Sequence, residues 1–411
     1  MIRLRTDQKS STLAAMKEIP DRAEVVIVGG GAVGSATAYF LAASPDFTGR
    51  VVVIERDPTY TRASTPLSAG GIRQQFSIRE NVEIGLFARR FIDQVPELLA
   101  IDGEAPDLGF IEAGYLFLAS EEGRAVLAEN HAVRTGAGAA IAWLDPDALA
   151  ERFPWINTDG LAAGTLGERG EGWIDPNTLL QALKRKAQSL GVRYVTDEVT
   201  ALGKTGNEIN EVQLFDGARI ACGHCIIASG ANSGAVARLA DVELAVGPRI
   251  RTIYQIDCRT PLAPRLPLTI DTTGVFVRPE GTGYICGVSP PEDEDPESWE
   301  IEVDWRWFED VVWPSIAHRI PAFEAVKLTG AWAGPYDYHA FDQNAVIGRH
   351  PDIGNLLMAT GFSGHGLQQS PAAGRALSEL ITHGTYQTLD LTRFGYERVL
   401  ENSPFRERNI V

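Results

Sequence analysis

The feature that most constrains this chain is Gly29-Gly-Gly31-Ala-Val-Gly34, a G-x-G-x-x-G set directly after the apolar run Glu24-Val-Val-Ile-Val28. It opens a helical stretch reaching about Ala43. The glycines permit a tight turn and let backbone N–H groups approach a pyrophosphate, which a helix N-terminus stabilises. A second apolar strand, Val51-Val-Val-Ile-Glu55, ends on a carboxylate about twenty residues on, placed for a ribose hydroxyl. Strand, helix and strand form a βαβ unit, which predicts a parallel sheet covered by helices. A dinucleotide with an adenosine half is the expected ligand, and at this point FAD and NAD both remain open. The run from Val25 to Ser44 is also long and uncharged enough to suggest a membrane span. Its glycines make the strand-to-helix reading the better one, so no integral membrane segment is expected.

A second glycine cluster, Gly361-Phe-Ser363-Gly364-His365-Gly366, follows the strand Asn355–Thr360 and opens a helix from about Leu367 to His383. Two such turns can serve opposite ends of one large cofactor. The second then aims a positive dipole end at an electron-accepting ring. A packing turn is its plainer reading. Between the two lies Ser68-Ala69-Gly70-Gly71-Ile72-Arg73, whose small residues let backbone approach a ring. Arg73 reads equally as a carboxylate or flavin contact and as a surface arginine. His365 is a base or a backbone-driven contact with the cofactor, and Trp332 and Tyr336 are core aromatics or cofactor wall. Ser363 sits in a partial G-x-S-x-G that is set aside because His365 holds the fifth place. Cys222-Gly-His-Cys225 leads into an apolar strand rather than a helix, so thiol redox chemistry is not expected. No second Cys/His pair supplies a metal site.

At 411 residues the chain exceeds one ordinary core, which predicts two lobes. Residues 1–22 read as a loosely ordered leader; Asp7 and Glu18 there speak against a transit peptide. The strand–glycine–helix units at the two ends belong in one sheet. They predict a discontinuous dinucleotide-binding domain from segments 23–105, 150–245 and 340–411, with a mainly antiparallel β domain from 106–149 and 246–339 inserted. Asp175-Pro176 opens a helix through Leu190, and Asp216-Gly217 turns a hairpin. The net charge of −17 repels phosphate backbones and anionic lipid, so neither nucleic acid nor a membrane surface is an expected partner. A small anionic substrate needs a locally basic pocket. Four cysteines suit a reducing compartment, the cytoplasm or, in a eukaryote, the mitochondrial matrix.

With these pieces in order, the sequence resembles the D-amino-acid oxidase-like superfamily of FAD enzymes, which includes sarcosine, dimethylglycine, glycine and opine oxidoreductases. The residues that carry this are the first glycine motif with Glu55-Arg56, Ser68 to Gly71, and Gly361 to Gly366. A closer resemblance covers nearly the whole chain. It is to a mitochondrial subfamily of FAD-dependent oxidoreductase-domain proteins linked to complex I assembly, with its bacterial relatives. Phe153-Pro-Trp-Ile-Asn157, Ala331 to Gly334, Tyr336-Asp-Tyr338, Phe341-Asp-Gln-Asn344 and Gly361 to Gln369 carry it. The resemblance implies FAD held by Gly29, Gly31, Ala32, Val33, Gly34, Glu55 and Arg56 at the adenosine end. Val199 would line the adenine, and Ala228, Gly230 and Ala231 would pass the ribityl chain. Ser68, Ala69, Gly70, Gly71, Ile72, Gly334, Gly361, Ser363, Gly364, His365, Gly366, Leu367 and Gln368 would surround the ring.

Departures from the superfamily pattern shape the rest. Pro335 and Leu67 stand where relatives attach flavin through cysteine or histidine, which implies non-covalent FAD. Gln368 replaces a substrate-binding lysine, Tyr336 a carboxylate-binding arginine, and Ile285 or Cys286 an oxygen-activating lysine. Carboxylate recognition then falls to Arg73, Arg251 and Arg278, with Tyr254 and Tyr336. The implied reaction is hydride transfer from the carbon beside a neutral amine to flavin, giving an imine that hydrolyses. The implied substrates are small amino acids or secondary amines bearing one or two carboxylates. O2, a quinone or another electron-transfer acceptor would take the electrons. The alternative is an FAD-binding assembly factor for a respiratory complex with little turnover.

Overall fold

The computed structural model describes residues 19–408. The expectation of a leader over residues 1–22 therefore lies mostly outside the described residues; regular structure begins at Arg22. Here β1 (Arg22–Val28) leads through the glycine turn into α1 (Ala32–Ala43) and back to β2 (Val51–Glu55), parallel to β1. Val25, Val26 and Ile27 have no solvent exposure, as expected for strands covered on both faces.

The first sheet runs in the order Val346–Arg349, Leu356–Thr360, Arg219–Ile227, β1, β2, Arg193–Thr196. The strands Val199–Thr205 and Glu208–Leu214 extend it from Arg219–Ile227. The late strand Leu356–Thr360 pairs parallel with Arg219–Ile227, which in turn pairs parallel with β1. The two glycine turns thus leave the same end of one sheet, with the strand Arg219–Ile227 between them. Their helices, α1 and the helix Gly366–Thr382, cross closely: a Cβ on Gly374 would lie 2.6 Å from the Ala36 carbonyl carbon. Asp175 caps the helix Pro176–Ser189 by accepting the Thr178 N–H.

The second sheet runs Lys327–His339, Val246–Asp257, Gly283–Gly287, Phe276–Glu280, Leu268–Ile270, Tyr115–Ala119, Ala163–Gly167, Ile141–Leu144. It is antiparallel except where Leu268–Ile270 pairs parallel with Tyr115–Ala119. The architecture is an α/β sheet lobe with a mainly antiparallel second lobe. The strand Ala163–Gly167 belongs to this second sheet, although the sequence division begins a first-lobe segment at 150. Its alternating partners lie on both sides within that sheet, a pairing that no local pattern in the sequence announces. No helix among the described residues is long and apolar enough to cross a membrane.

Candidate functional site

An elongated cavity runs from the first glycine turn, between the lobes, to the second glycine turn. At its first end Gly29 adopts φ +104°, and a Cβ there would overlap the Ala228 carbonyl oxygen. Only glycine fits that crossing of β1 and the neighbouring strand end. Gly31 caps α1 without any side-chain hydrogen bond, and the first turn holds no acidic residue. A Cβ on Gly31 would meet only Thr65 Oγ1, at 3.6 Å. The Ala32 N–H donates to Thr65 Oγ1 at 3.3 Å; the helix end, lined by Gly31, Ala32 and Val33, is a cradle with a positive dipole, surroundings that suit a pyrophosphate. Gly34 lies behind it: its Cβ would fall on the Gly29 carbonyl, so its smallness serves helix–strand packing.

Glu55 is oriented by two backbone donors, Gly30 N–H at 2.8 Å and Asp57 N–H at 2.9 Å. Its carboxylate borders the cavity beside Val199, Ala228, Gly230 and Ala231. Arg56 stands over the Trp299 ring at 5.4 Å, and Arg62 donates to the Trp299 carbonyl at 3.0 Å. Trp299 and Thr65 are cavity residues that the sequence reading missed, the first because it reaches the site from a loop far along the chain.

At the other end the helix Gly366–Thr382 also begins without a side-chain cap or an acid in its first turn. Gly364, His365, Gly366, Leu367 and Gln368 line the cavity there, facing Ser68, Ala69, Gly71 and Gly334. Arg73 lies between them and is 3% exposed. Its Nη2 stands 2.7 Å from His365 Nε2, its backbone N–H donates to Gln368 Oε1 at 2.8 Å, and its guanidinium packs over Phe76 and Phe117. An arginine only donates, so His365 Nε2 is the acceptor and the imidazole is neutral, with its proton on Nδ1. Burial and the adjacent Arg73 hold the His365 pKa well below its usual range. Its Nε2 lone pair is engaged by Arg73, so His365 is no free base; it lines the cavity. Arg73 is likewise a cavity residue rather than a surface one.

Asp337, absent from the sequence-based candidates, lines this end as well and accepts the Phe362 N–H at 2.9 Å. Burial pushes its carboxyl up to about 6 against that hydrogen bond. The outer wall comes from the second sheet: Tyr115, Leu268, Ile270 and Phe276. These too were missed, because a strand residue facing a ligand has the same alternation as one facing a core. Burial raises the Tyr115 hydroxyl to about 12.

Several predicted residues stand elsewhere. Tyr254 is buried against Phe308, and its hydroxyl donates to the Asp304 carbonyl. Arg278 donates to the Ala69 carbonyl at 2.7 Å and pairs with Glu280, so it braces the ring-side loop from behind. Gly70, Ile72, Gly361 and Ser363 lie outside the cavity lining and shape it from beneath; Ile72 is 1% exposed in the main core. Arg251 does line the cavity, stacked on Tyr336 at 4.5 Å, but Asp295 takes its guanidinium through two 2.7 Å bonds. Tyr336 is cavity wall, its hydroxyl donating to the Ser363 carbonyl. Trp332 donates to the Leu67 carbonyl at 2.9 Å. Cys222 and Cys225 lie in the strand Arg219–Ile227, and burial raises both thiols. Among the described residues no group of three or more His, Cys, Asp and Glu is arranged to hold a metal.

Two helix N-termini without an acid in their first turns face one cavity, with the Glu55 carboxylate beside the first and a β lobe over the second, an arrangement that fits a flavin dinucleotide oxidoreductase. Residues 24–380 match the FAD dependent oxidoreductase (DAO) family, and the chain belongs to it, with FAD as cofactor. It is 45% identical over 428 residues to FAD-dependent oxidoreductase domain-containing protein 1 of Xenopus laevis, covering 95% of this chain and 85% of the relative. The fold is that of L-proline dehydrogenase from P. horikoshii (TM-score 0.82, 24% identity, covering 94% of this chain and 100% of that one). It is also that of glycine oxidase from Geobacillus kaustophilus (TM-score 0.78, 22% identity, 92% and 98% covered).

Proposed function

We propose that this chain oxidises the carbon–nitrogen bond of a small amino acid or N-substituted amino acid, using FAD held without a covalent bond. The observation that carries the reading is Arg73: a buried guanidinium at the cavity's far end, held by His365 Nε2, with its backbone N–H fixed by Gln368 and an apolar wall around it. Such a group suits a substrate carboxylate, because a desolvated arginine forms strong charge-assisted bonds. Leu67 and Pro335 line the cavity and offer no nucleophilic atom, and the His365 Nε2 lone pair is engaged, which supports non-covalent binding.

Bound FAD supplies the hydride acceptor. The protein's part is orientation and electrostatics. Arg73 meets the carboxylate and, by like-charge repulsion, favours the neutral amine, so the proton leaves to solvent before the carbon is oxidised. Tyr115, Leu268, Ile270 and Phe276 exclude water around the reacting carbon. The imine product hydrolyses after release. With Asp295 holding Arg251, a second carboxylate binds there only if Asp295 gives way, which supports monocarboxylates as the first substrates to try. The test is anaerobic flavin bleaching with a panel of amino acids, N-methylglycines and iminodiacetate, followed by reoxidation with O2 or a quinone. Bleaching by at least one compound is expected; a panel that leaves the flavin fully oxidised overturns the reading.

A further inference from the structure

Phe341-Asp-Gln-Asn344, conspicuous in the sequence, has no atom in the substrate end of the cavity, yet it organises a buried polar bridge leading there. Asp342 is wholly buried and paired with Arg398 at 2.8 Å. It also accepts the Phe405 N–H at 2.9 Å, and Asn344 donates to the Phe405 carbonyl at 2.9 Å. Arg393 covers the Phe405 ring. These contacts fix the segment 403–408 on the surface of the first lobe and turn Glu407 inward, where it is 2% exposed.

The Glu407 carboxylate accepts from both Ser77 groups, backbone N–H at 2.7 Å and hydroxyl at 2.6 Å, and from Asn81 Nδ2 at 3.0 Å. Ser77 lies four residues beyond Arg73 on the same loop. Asn81 accepts from Gln369 Nε2 at 3.1 Å, and the neighbouring Gln368 accepts the Arg73 N–H. Two hydrogen-bonded routes therefore run from one buried carboxylate to the two segments that hold Arg73. A neutral side chain would satisfy most of these donors. Burying a full charge there instead is costly unless it acts on other charges, and two buried guanidiniums lie in its field: Arg73, and Arg134, which donates to the Phe76 carbonyl and Gln75 Oε1 of the same loop. Glu171, fixed by the Gln74 and Gln75 N–H groups, is another buried carboxylate near Arg73, and Asp337 lines the same end of the cavity.

We infer that Glu407 is a positioning residue that sets the strength of the anion site at Arg73. It holds the Arg73 loop through Ser77 and Asn81, and its negative charge offsets part of the field that Arg73 presents to the cavity. The inference rests on the assignment of Arg73 to the anion and flavin site. Burial lowers the Arg73 pKa, and the Glu407 charge opposes that shift, in keeping with the same coupling.

The test uses FAD-loaded protein, with benzoate affinity read from the flavin spectrum and the flavin midpoint potential read by dye equilibration. Neither readout needs turnover. Glu407→Gln keeps the shape and removes the charge; benzoate is expected to bind roughly three- to tenfold tighter, and the potential to move positive. Glu407→Asp, which draws the same charge back by one methylene, is expected to shift both readouts the same way by less, and serves alone should the Gln variant not fold. Variants that lose thermal stability but keep the parent's benzoate affinity and potential overturn the inference and leave Glu407 a structural anchor. Arg73→Gln separates the two levels. If it changes neither readout, the assignment of Arg73 itself fails; if it changes both while the Glu407 variants do not, only the present inference fails.

Discussion

Gly364→Ala should be among the most damaging single-methyl changes in this chain. Gly364 has φ +88°, a conformation that costs an L-residue about 1–2 kcal/mol. The added Cβ would also enter the Tyr336 ring, 2.8 Å from Cζ and 2.9 Å from the hydroxyl oxygen. The ring cannot swing away cheaply, because its hydroxyl is bonded to the Ser363 carbonyl and Arg251 lies on its face. Overpacking of a fixed neighbour typically adds about 1–3 kcal/mol, for a total of about 2–5 kcal/mol. Gly366→Ala is the control two residues on: it opens a helix, and its Cβ would meet Phe362 at 3.5 Å, an ordinary contact. Urea unfolding of the FAD-free proteins reads the difference directly, and FAD retention on gel filtration reports whether the ring end of the cavity survives. A Gly364→Ala protein within about 1 kcal/mol of the parent, or a Gly366→Ala protein equally destabilised, would refute the reasoning.

Arg73→Lys keeps the charge but loses the planar fork that reaches His365 while packing on Phe76 and Phe117. Losing one charge-assisted bond of about 1.5–3 kcal/mol should lower kcat/KM for any substrate that bleaches the flavin by roughly 10- to 100-fold; an effect under threefold counts against Arg73 as the anion site. Two buried carboxylates should shape acid stability in opposite directions. Burial raises the Asp342 pKa, but His339 and Arg398 overcome it and hold the group well below the usual range, so its contribution is present above about pH 4 and lost as pH falls further. Asp337, raised to about 6, binds its proton more tightly folded than unfolded, so between pH 6 and about 4 it adds stability as pH falls. Asp342→Asn should flatten the acid limb and Asp337→Asn should remove the gain below pH 6, both read by pH-dependent unfolding. Cys222→Ser should leave FAD content and flavin reduction unchanged; loss of either would assign the thiol a role.

The first glycine turn and the cavity end it forms were legible in the sequence because their requirements are local. One strand, three glycines and a carboxylate at the end of the next strand set their own geometry within some thirty residues. The ring end was half legible: the second glycine cluster marks a helix N-terminus, but nothing nearby tells that Arg73 faces it across almost three hundred residues. Arg278 shows the limit plainly. A buried arginine beside a cavity reads as a ligand for substrate, and only the Ala69 carbonyl in front of it shows that it braces backbone instead. Tyr254 was misplaced for a similar reason, since alternation in the strand Val246–Asp257 fixes which residues share a face but not what covers that face. Residues contributed by distant loops, such as Trp299, left no trace that periodicity or motif could catch.

The strand order of the first sheet bears on how the chain is made. β1 meets β2 early, but its other edge waits for the strand Arg219–Ile227, and that strand waits in turn for Leu356–Thr360. At ribosomal speeds of about 5–20 residues per second, the wait from β1 to the first of these partners is about 10–40 s. Throughout it an apolar strand edge and the open end of α1 stay without their final neighbours. The cofactor cradle is therefore assembled from strands made far apart in time, so FAD can seal it only after the strand Leu356–Thr360 has emerged.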